Sequence, residues 1–499
     1  MSSPARGSHL LSPSLLIGIQ GTLALLCYYL GIFPHFLQFD FFFMIRTFTL
    51  LLVTALVASN LLAADRPNII FVLADDLGYG DLGCYGQREL ATPNLDRMAS
   101  QGIKFTRHYA GSTVCAPSRC VLLTGKHIGH ASVRGNQGGL IQDGELTIAE
   151  MLREAGYATG CVGKWGVGHP PPLNDPARNG FEFFYGYVNM FHAHNFYPEF
   201  IVRDGQKVPL GNVLAEKWKE TPRPGREGRG VAETRVDYVP DLVTQEALRF
   251  VERHQQEPFF LYYALNVPHA NNEGGKDGME VPSHGEFADR DWPKPEKGFA
   301  SMMRNIDRDI GKLLAKLKAL GIDDHTIVFF SSDNGPHQEG GHQMPFFDSN
   351  GRLLGMKRDL YEGGIRVPLL VRWPGKIPAG STSGHVCGFQ DLMPTLAELA
   401  GTKSPALDGI SYFATLVGDH AHQQKHPHLY WEFGEKGGKQ AVLKGKWKGV
   451  RLDWNRQPHG PLELYDLEND PTESMNVADA NPSVVEAMAV IMQQEHVAP

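Results

Sequence analysis

Asn68-Ile69-Ile70-Phe71-Val72-Leu73-Ala74-Asp75-Asp76-Leu77-Gly78 sets the architecture. Ile69–Leu73 is an unbroken apolar, β-branched run. Such a run marks a strand buried on both faces, as in a parallel sheet covered by helices. Two carboxylates follow at its C-terminal end, where open parallel sheets bind their ligands. Adjacent carboxylates repel unless a cation sits between them. The alternative is a turn-forming Asp pair with solvated side chains.

Outward from this strand the pattern repeats. Thr92-Pro93 opens a helix with apolar Leu95, Met98 and Ala99, and Thr147-x-x-Glu150 is a capping box for another. Tyr157–Val162 reads as a strand leading to Gly163-Lys164-Trp165-Gly166, and residues 258–265 as a buried strand leading to His269. Helices are expected over residues 241–254, 300–320 and 391–400, and further strands over 326–330 and 369–372. The strand at 326–330 delivers Asp333-Asn334-Gly335. Residues 166–240 read as one long irregular segment. Its His192 and His194 alternate as a zinc pair would, but without a third ligand, so they read as substrate-loop or surface histidines.

Alternating strands and helices predict an α/β fold with a large, mostly parallel sheet flanked by helices. From about residue 415 the texture changes to short strands with Gly- and Pro-bearing turns, predicting a smaller C-terminal antiparallel-sheet subdomain. The expected divisions are a leader at 1–64, a larger α/β domain at 65–414 that carries the strand-end residues, and the subdomain at 415–499.

Cys115-Ala116-Pro117-Ser118-Arg119 carries the most specific chemistry. Pro117 fits a first helical turn, which places Cys115 at a helix N-terminus that favours anionic groups. Arg119, one turn on, can direct its fork at an oxyanion beside that cysteine. A buried structural cysteine before an ordinary helix is the competing reading. Four strand ends carry Asp75-Asp76, Lys164, His269 and Asp333-Asn334, and a loop carries Lys357. Three carboxylates and an amide suit a hard cation, and the basic side chains suit a multiply charged oxyanion.

With 499 residues and 42% of them hydrophobic, the chain can bury a sizeable core, and its net charge of −8 argues against nucleic acid as a partner. Met44-Ile45-Arg46 followed by an apolar stretch and Ala63-Ala64 reads as a signal peptide at 44–64, so the protein is expected to be exported, periplasmic or secreted. Residues 1–43 then precede the true start, or else anchor the chain in a membrane. Outside the leader, Cys84, Cys115, Cys120, Cys161 and Cys387 are an odd set, consistent with one modified residue among buried thiols.

The Cys115 stretch, Asp75-Asp76, Asp333-Asn334-Gly335, Lys357 with Glu362-Gly363-Gly364, and Leu464–Pro471 together resemble the formylglycine-dependent sulfatases of the alkaline-phosphatase-like superfamily. The resemblance covers roughly residues 66–478. It implies that a maturation enzyme oxidises Cys115 to an aldehyde (formylglycine) whose hydrate supplies the nucleophile. One hydroxyl attacks sulfur and expels the alcohol, and the second collapses to the aldehyde and expels sulfate. It further implies one Ca²⁺ or Mg²⁺ held by Asp75, Asp76, Asp333 and Asn334 with oxidised Cys115. Arg119 and Lys164 would stabilise the hydrate and the sulfate, and His269 and Lys357 would grip sulfate and assist the leaving group. The substrate implied is a sulfated small molecule or glycan. One position departs: where the family reads Gly-Lys-Trp-His, Gly166 stands here, and His169 is the nearest candidate substitute. A phosphate mono- or diester hydrolase of the same superfamily and an inactive sulfated-glycan-binding homologue are the rival readings.

Overall fold

The computed structural model describes residues 66–219 and 225–498, so the leader expected at 1–64 lies outside it. Arg66–Pro499 forms one compact unit. Among the described residues no helix is long and apolar enough to cross a membrane.

The Asn68–Asp75 strand is buried along its whole length and forms the middle of an eleven-stranded sheet. From one edge the order is Ser381–Ser383, Ile103–Tyr109, Arg366–Arg372, Thr326–Ser332, Asn68–Asp75, Phe259–Pro268, Ala158–Lys164, Phe183–Tyr187, Phe200–Arg203 and Gln206–Pro209. Cys387–Gly388 adds a second short pairing to Ile103–Tyr109. The five strands from Thr326–Ser332 to Phe183–Tyr187 run parallel. Arg366–Arg372 runs against both its neighbours. The chain reaches it from residue 332 without a long crossover helix, and a return without a crossover is antiparallel.

Alternate residues of the central strand feed two separate cores. Ile69, Phe71 and Leu73 pack on one side of the sheet, and Ile70, Val72 and Ala74 on the other. The first core contains the helices Cys115–Thr124, Ile148–Glu154, Leu392–Leu399 and Pro482–Glu495. The second contains Pro93–Ser100, Val239–Arg253 and the long helix Lys294–Ala319, whose Ile306, Ile310, Leu313, Leu314 and Leu317 are all buried. The capping box at Thr147 and Glu150 forms as expected. Residues 166–240 differ from the expectation: they supply three strands that extend the main sheet and a two-stranded ribbon, Val213–Leu214 with Ala232–Thr234. Their strands are two to five residues long, too short to show a period.

The C-terminal sheet is antiparallel, in the order Leu429–Phe433, Lys439–Lys444, Trp447–Leu452, Glu463–Asp466. It shares the first core with the main sheet. A buried ion cluster also ties them. Lys448 Nζ lies 2.8 Å from Glu362 and 3.3 Å from Glu473, with all three side chains fully out of solvent. Tyr109 Oη donates to Glu362 (2.9 Å), and the Glu362 N–H donates to Glu473 (2.7 Å). Burial pushes Glu473 up to about 7 against the pull of Lys448, so one ammonium serves two carboxylates. Lys448→Met therefore leaves buried Glu473 without its cation and Glu362 with Arg366 alone (3.4 Å). It is expected to cost about 3–5 kcal/mol, read as a lowered denaturant midpoint; an unchanged midpoint would show that the cluster is not what joins the sheets.

Candidate active site

The central strand ends at Asp75, and the chain turns at once. Asp76 adopts a left-handed conformation (φ 67°), which a short polar side chain tolerates when local hydrogen bonds hold it. Here the Asp76 N–H donates to Asp333 Oδ1 (3.1 Å) and the Leu77 N–H to Ser332 Oγ (2.9 Å), both from the neighbouring parallel strand. Two strand ends are thereby locked together with three carboxylates between them. Asn334 Nδ2 donates to Asp76 Oδ1 (2.8 Å), completing the group. Gly335 lets this turn meet the Glu362-Gly363-Gly364 turn: a Cβ there would lie 1.9 Å from the Gly363 carbonyl oxygen.

Three buried cations converge on these oxygens from different elements. Lys164, at the end of its strand, places Nζ 2.6 Å from Asp75 Oδ2. Arg119, on the second turn of the Cys115–Thr124 helix, donates from Nε to Asp333 Oδ2 (2.9 Å) and from Nη1 to the Lys164 carbonyl (2.5 Å). Its Nη2 lies 2.8 Å from Asp333 and 3.6 Å from Asp75 without a hydrogen aimed at either. Lys357 reaches Asp76 Oδ2 (2.7 Å), Glu339 Oε2 (3.2 Å) and His269 Nε2 (3.0 Å).

His269 Nδ1 lies 2.6 Å from the carbonyl oxygen of Ala270, which can only accept. Nε2 then carries the lone pair that faces Lys357. Burial, reinforced by the Lys357 charge, pushes His269 down to about 3, so the ring is neutral. Burial also raises the carboxylates, but the cations beside Asp75 and Asp76 hold both below their usual range. Asp333 is the exception. Burial and the adjacent Asp75 push it up to about 7 despite Arg119.

Cys115 is the first residue of its helix and is buried. Burial raises its thiol, and the Lys164 charge works against that. Eight of the nine residues expected at the site are thus joined by direct contacts, and Cys115 lies close enough to feel the charges of Lys164, Asp75, Asp333 and Lys357. His169 does not join it: its ring packs on Phe191 (5.2 Å between centroids) at the start of a different loop. His192 turns away to the Phe200 carbonyl (2.9 Å), whereas His194 stacks on His269 (4.7 Å, 13° between planes) and faces Glu273 at 3.5 Å.

Several participants were missed in the sequence. Glu339 lies between Lys357 and Arg358 (2.7 Å), and His337 accepts from the Glu339 N–H (3.0 Å). Their position just past Asp333-Asn334-Gly335 was the available signal. Asn136, whose Oδ1 lies 3.6 Å from Cys115 Sγ, gave none.

The donor set fits a hard divalent cation. Asp75 Oδ1 and Asn334 Oδ1 are buried oxygens without a hydrogen-bond partner, as oxygens that face a cation would be. Among the described residues, the carboxylates fall into two possible metal-holding groups, Asp75 and Asp76 with His269 and Asp76 with His337 and Glu339, each with a single histidine.

A family model described as Sulfatase matches residues 67–402, and one described as N-sulphoglucosamine sulphohydrolase, C-terminal, matches residues 354–496. The chain is 35% identical over 379 residues to the N-acetylgalactosamine-6-sulfatase of Canis lupus familiaris, covering 71% of this chain and 67% of that protein. It is 34% identical over 475 residues to the arylsulfatase A of Homo sapiens, covering 86% and 88%. The crystal structure of Ps i-CgsB in complex with k-i-k-neocarrahexaose superposes with a TM-score of 0.70 at 29% identity, over 86% of this chain and 92% of that one. Similarity of this extent, together with the site's geometry, makes the chain a member of the sulfatase family.

Proposed function

We propose that the protein hydrolyses sulfate esters on sulfated carbohydrates, using an oxidised Cys115 and one divalent cation, Ca²⁺ or Mg²⁺. The observation that carries this reading is Cys115 at a helix N-terminus, beside buried carboxylates held by Arg119, Lys164 and Lys357. The carbohydrate part is supported by relatives named for N-acetylgalactosamine 6-sulfate and by a structural neighbour bound to a neocarrahexaose. The N-terminal leader, read as a signal peptide, suits an exported enzyme that meets such substrates outside the cytoplasm.

Asp75, Asp76, Asp333 and Asn334, with residue 115, would hold the cation, which as a hard Lewis acid offsets charge on sulfate oxygens. A formylglycine at residue 115, made by a maturation enzyme, supplies an oxygen nucleophile as its hydrate. The rest of the chemistry belongs to the side chains. Arg119 fixes Asp333 in place and Lys164 fixes Asp75, and so they set the shape of the cation's cage. Lys164 and Lys357 bring ammonium groups to Asp75 and Asp76 respectively, where the anionic sulfate group of an ester would meet positive charge from both. Lys357 stays charged, because Asp76 and Glu339 raise it well above an ordinary lysine despite burial. The Lys357–His269 hydrogen bond then keeps a proton between two groups at the leaving-group side.

Three outcomes are expected. Peptide mass spectrometry after co-expression with a maturation enzyme should show the Cys115 thiol replaced by an aldehyde, and Cys115→Ala should abolish turnover. A fully active Cys115→Ala enzyme would remove residue 115 from the chemistry.

Asp333→Ala should weaken the cation, seen as loss of bound Ca²⁺ or Mg²⁺ by elemental analysis and as greater sensitivity to chelator. Stoichiometric zinc in the purified protein, with neither calcium nor magnesium, would contradict the assignment.

His269→Ala and Lys357→Ala should lose about 10²–10⁴ in kcat/KM on a sulfated sugar, whose leaving alcohol needs a proton, and far less on a nitrophenyl sulfate. Equal losses on both esters would leave these residues as sulfate binders only.

A further inference from the structure

Gly166 leaves residue 115 without the imidazole that the family's signature would supply, and the structure shows what stands near Cys115 instead. Asn136 lies in the loop Arg134-Gly135-Asn136-Gln137-Gly138-Gly139, twenty-one residues after the cysteine. Its Oδ1 is 3.2 Å from the Ala116 nitrogen and 3.6 Å from Cys115 Sγ. The Ala116 N–H can only donate, so the atom facing it is the oxygen, which fixes the orientation of the amide. The thiol donates to the same oxygen. Among the described residues no protein group accepts from Asn136 Nδ2, and the residue is partly exposed, so the donor end of the amide is available on the open side.

The loop and the Gly166 turn are built to meet. The His169 N–H donates to the Gly139 carbonyl (3.0 Å). Gly168 adopts φ +70°, and a Cβ there would lie 2.5 Å from that carbonyl oxygen and 2.8 Å from Leu140. A side chain at Gly166 (φ +61°) would begin 3.0 Å from Lys164 Cε and 3.6 Å from Arg119 Cδ. The turn thus has little room for a side chain at 166, while its glycine at 168 admits the Asn136 loop. On its other flank the loop is tied down by Arg134, which donates to the Ala131 carbonyl (2.9 Å) and to Glu432 (3.0 Å) of the C-terminal sheet. His169 cannot serve residue 115 from where it lies, packed on Phe191.

We infer that Asn136 is a positioning residue for the nucleophile: its carboxamide oxygen accepts a hydrogen bond from residue 115, in place of the imidazole absent at Gly166. The inference rests on the reading of residue 115 as an aldehyde that adds water across its C=O bond to give two hydroxyls. Each hydroxyl carries a hydrogen that a fixed acceptor can orient, and an acceptor that also grips the Ala116 N–H cannot swing away. An amide has no useful proton affinity at neutral pH. Asn136 therefore orients a hydroxyl without taking its proton, and the proton must leave by another route.

The test uses the full chain co-expressed with a maturation enzyme and compares wild type, Asn136→Ala and Asn136→Asp. Peptide mass spectrometry first measures conversion at residue 115; absence of aldehyde in wild type would defeat the nucleophile reading itself. With conversion equal, Asn136→Ala should lower kcat about tenfold to a hundredfold, with KM within about twofold, on a sulfate ester that wild type cleaves. Loss of the acceptor should also shift the hydrate toward free aldehyde, so that an aminooxy probe labels residue 115 faster in the folded Asn136→Ala protein. Asn136→Asp keeps an oxygen against the Ala116 N–H and should label at the wild-type rate, while its charge raises KM for the anionic ester. Unchanged kcat and labelling in Asn136→Ala would overturn the inference. So would equal acceleration of labelling in both variants, since that would report a disturbed loop and not a lost acceptor.

Discussion

Three carboxylates buried at the ends of two adjacent parallel strands dominate this structure. Asp75, Asp76 and Asp333 are essentially without solvent, and like charges so placed repel and pay the desolvation cost of burial as well. Such a group persists only if positive charge converges on it from elsewhere. The fold answers with one cation from a helix, one from a strand end and one from a loop, each fully or almost fully buried. The parallel sheet makes this possible, because it brings the C-terminal ends of 68–75, 158–164, 259–268 and 326–332 to the same edge. Asp333 is still pushed upward with all three in place. Two oxygens of the group, Asp75 Oδ1 and Asn334 Oδ1, are nonetheless left without a hydrogen-bond donor, which is what a ligand set for a hard cation would offer.

Much of this was legible in the sequence, and for a physical reason. A strand buried on both faces has to be apolar throughout, so 68–75, 259–268 and 326–332 stand out as runs, and polar residues just past them are conspicuous. Helix termini were equally readable at Thr147 and Pro117, since capping is a local matter. What escaped notice depends on tertiary approach. The strands at 200–203 and 206–209 are short and half exposed, and 439–444 lies between glycine turns with lysine at both ends. The helix Pro482–Glu495 buries only Met488, Ile491 and Met492, too narrow a stripe to announce itself. Asn136 is an ordinary loop residue until the chain folds. The loop that carries it packs against Gly168, thirty-two residues further on, which no local pattern connects to it.

His192 and His194 show the same limit from the other side. Their alternation in sequence gave them equal standing, yet one is spent on a backbone carbonyl while the other stacks on His269 beside the carboxylates. Burial pushes His192 down to about 3, so it stays neutral and contributes no charge to the loop. Spacing told how far apart the two rings are along the chain. It could not tell that a four-residue helix at 190–193 would turn them to different partners.

The C-terminal sheet bears on the chemistry through the loop that carries Lys357. Lys439 donates to the Arg358 carbonyl and to Asp359, both at 2.7 Å, and Tyr361 donates to Glu463 at 2.6 Å. Lys448 holds Glu362 in the next turn. Four of the five residues of the 358–362 segment are thus gripped from one small sheet, while Lys357 itself hangs from the Pro336 carbonyl by its N–H (2.9 Å). A lysine side chain has about 2 kcal/mol of rotamer freedom to lose. Anchoring its backbone at both ends confines the ammonium to Asp76, Glu339 and His269 before any substrate arrives. The same sheet steadies the Asn136 loop through Glu432 and Arg134. A C-terminal region that contributes none of the expected site residues nonetheless braces the loop that carries Lys357 and the loop that carries Asn136, so the position of both depends on its packing.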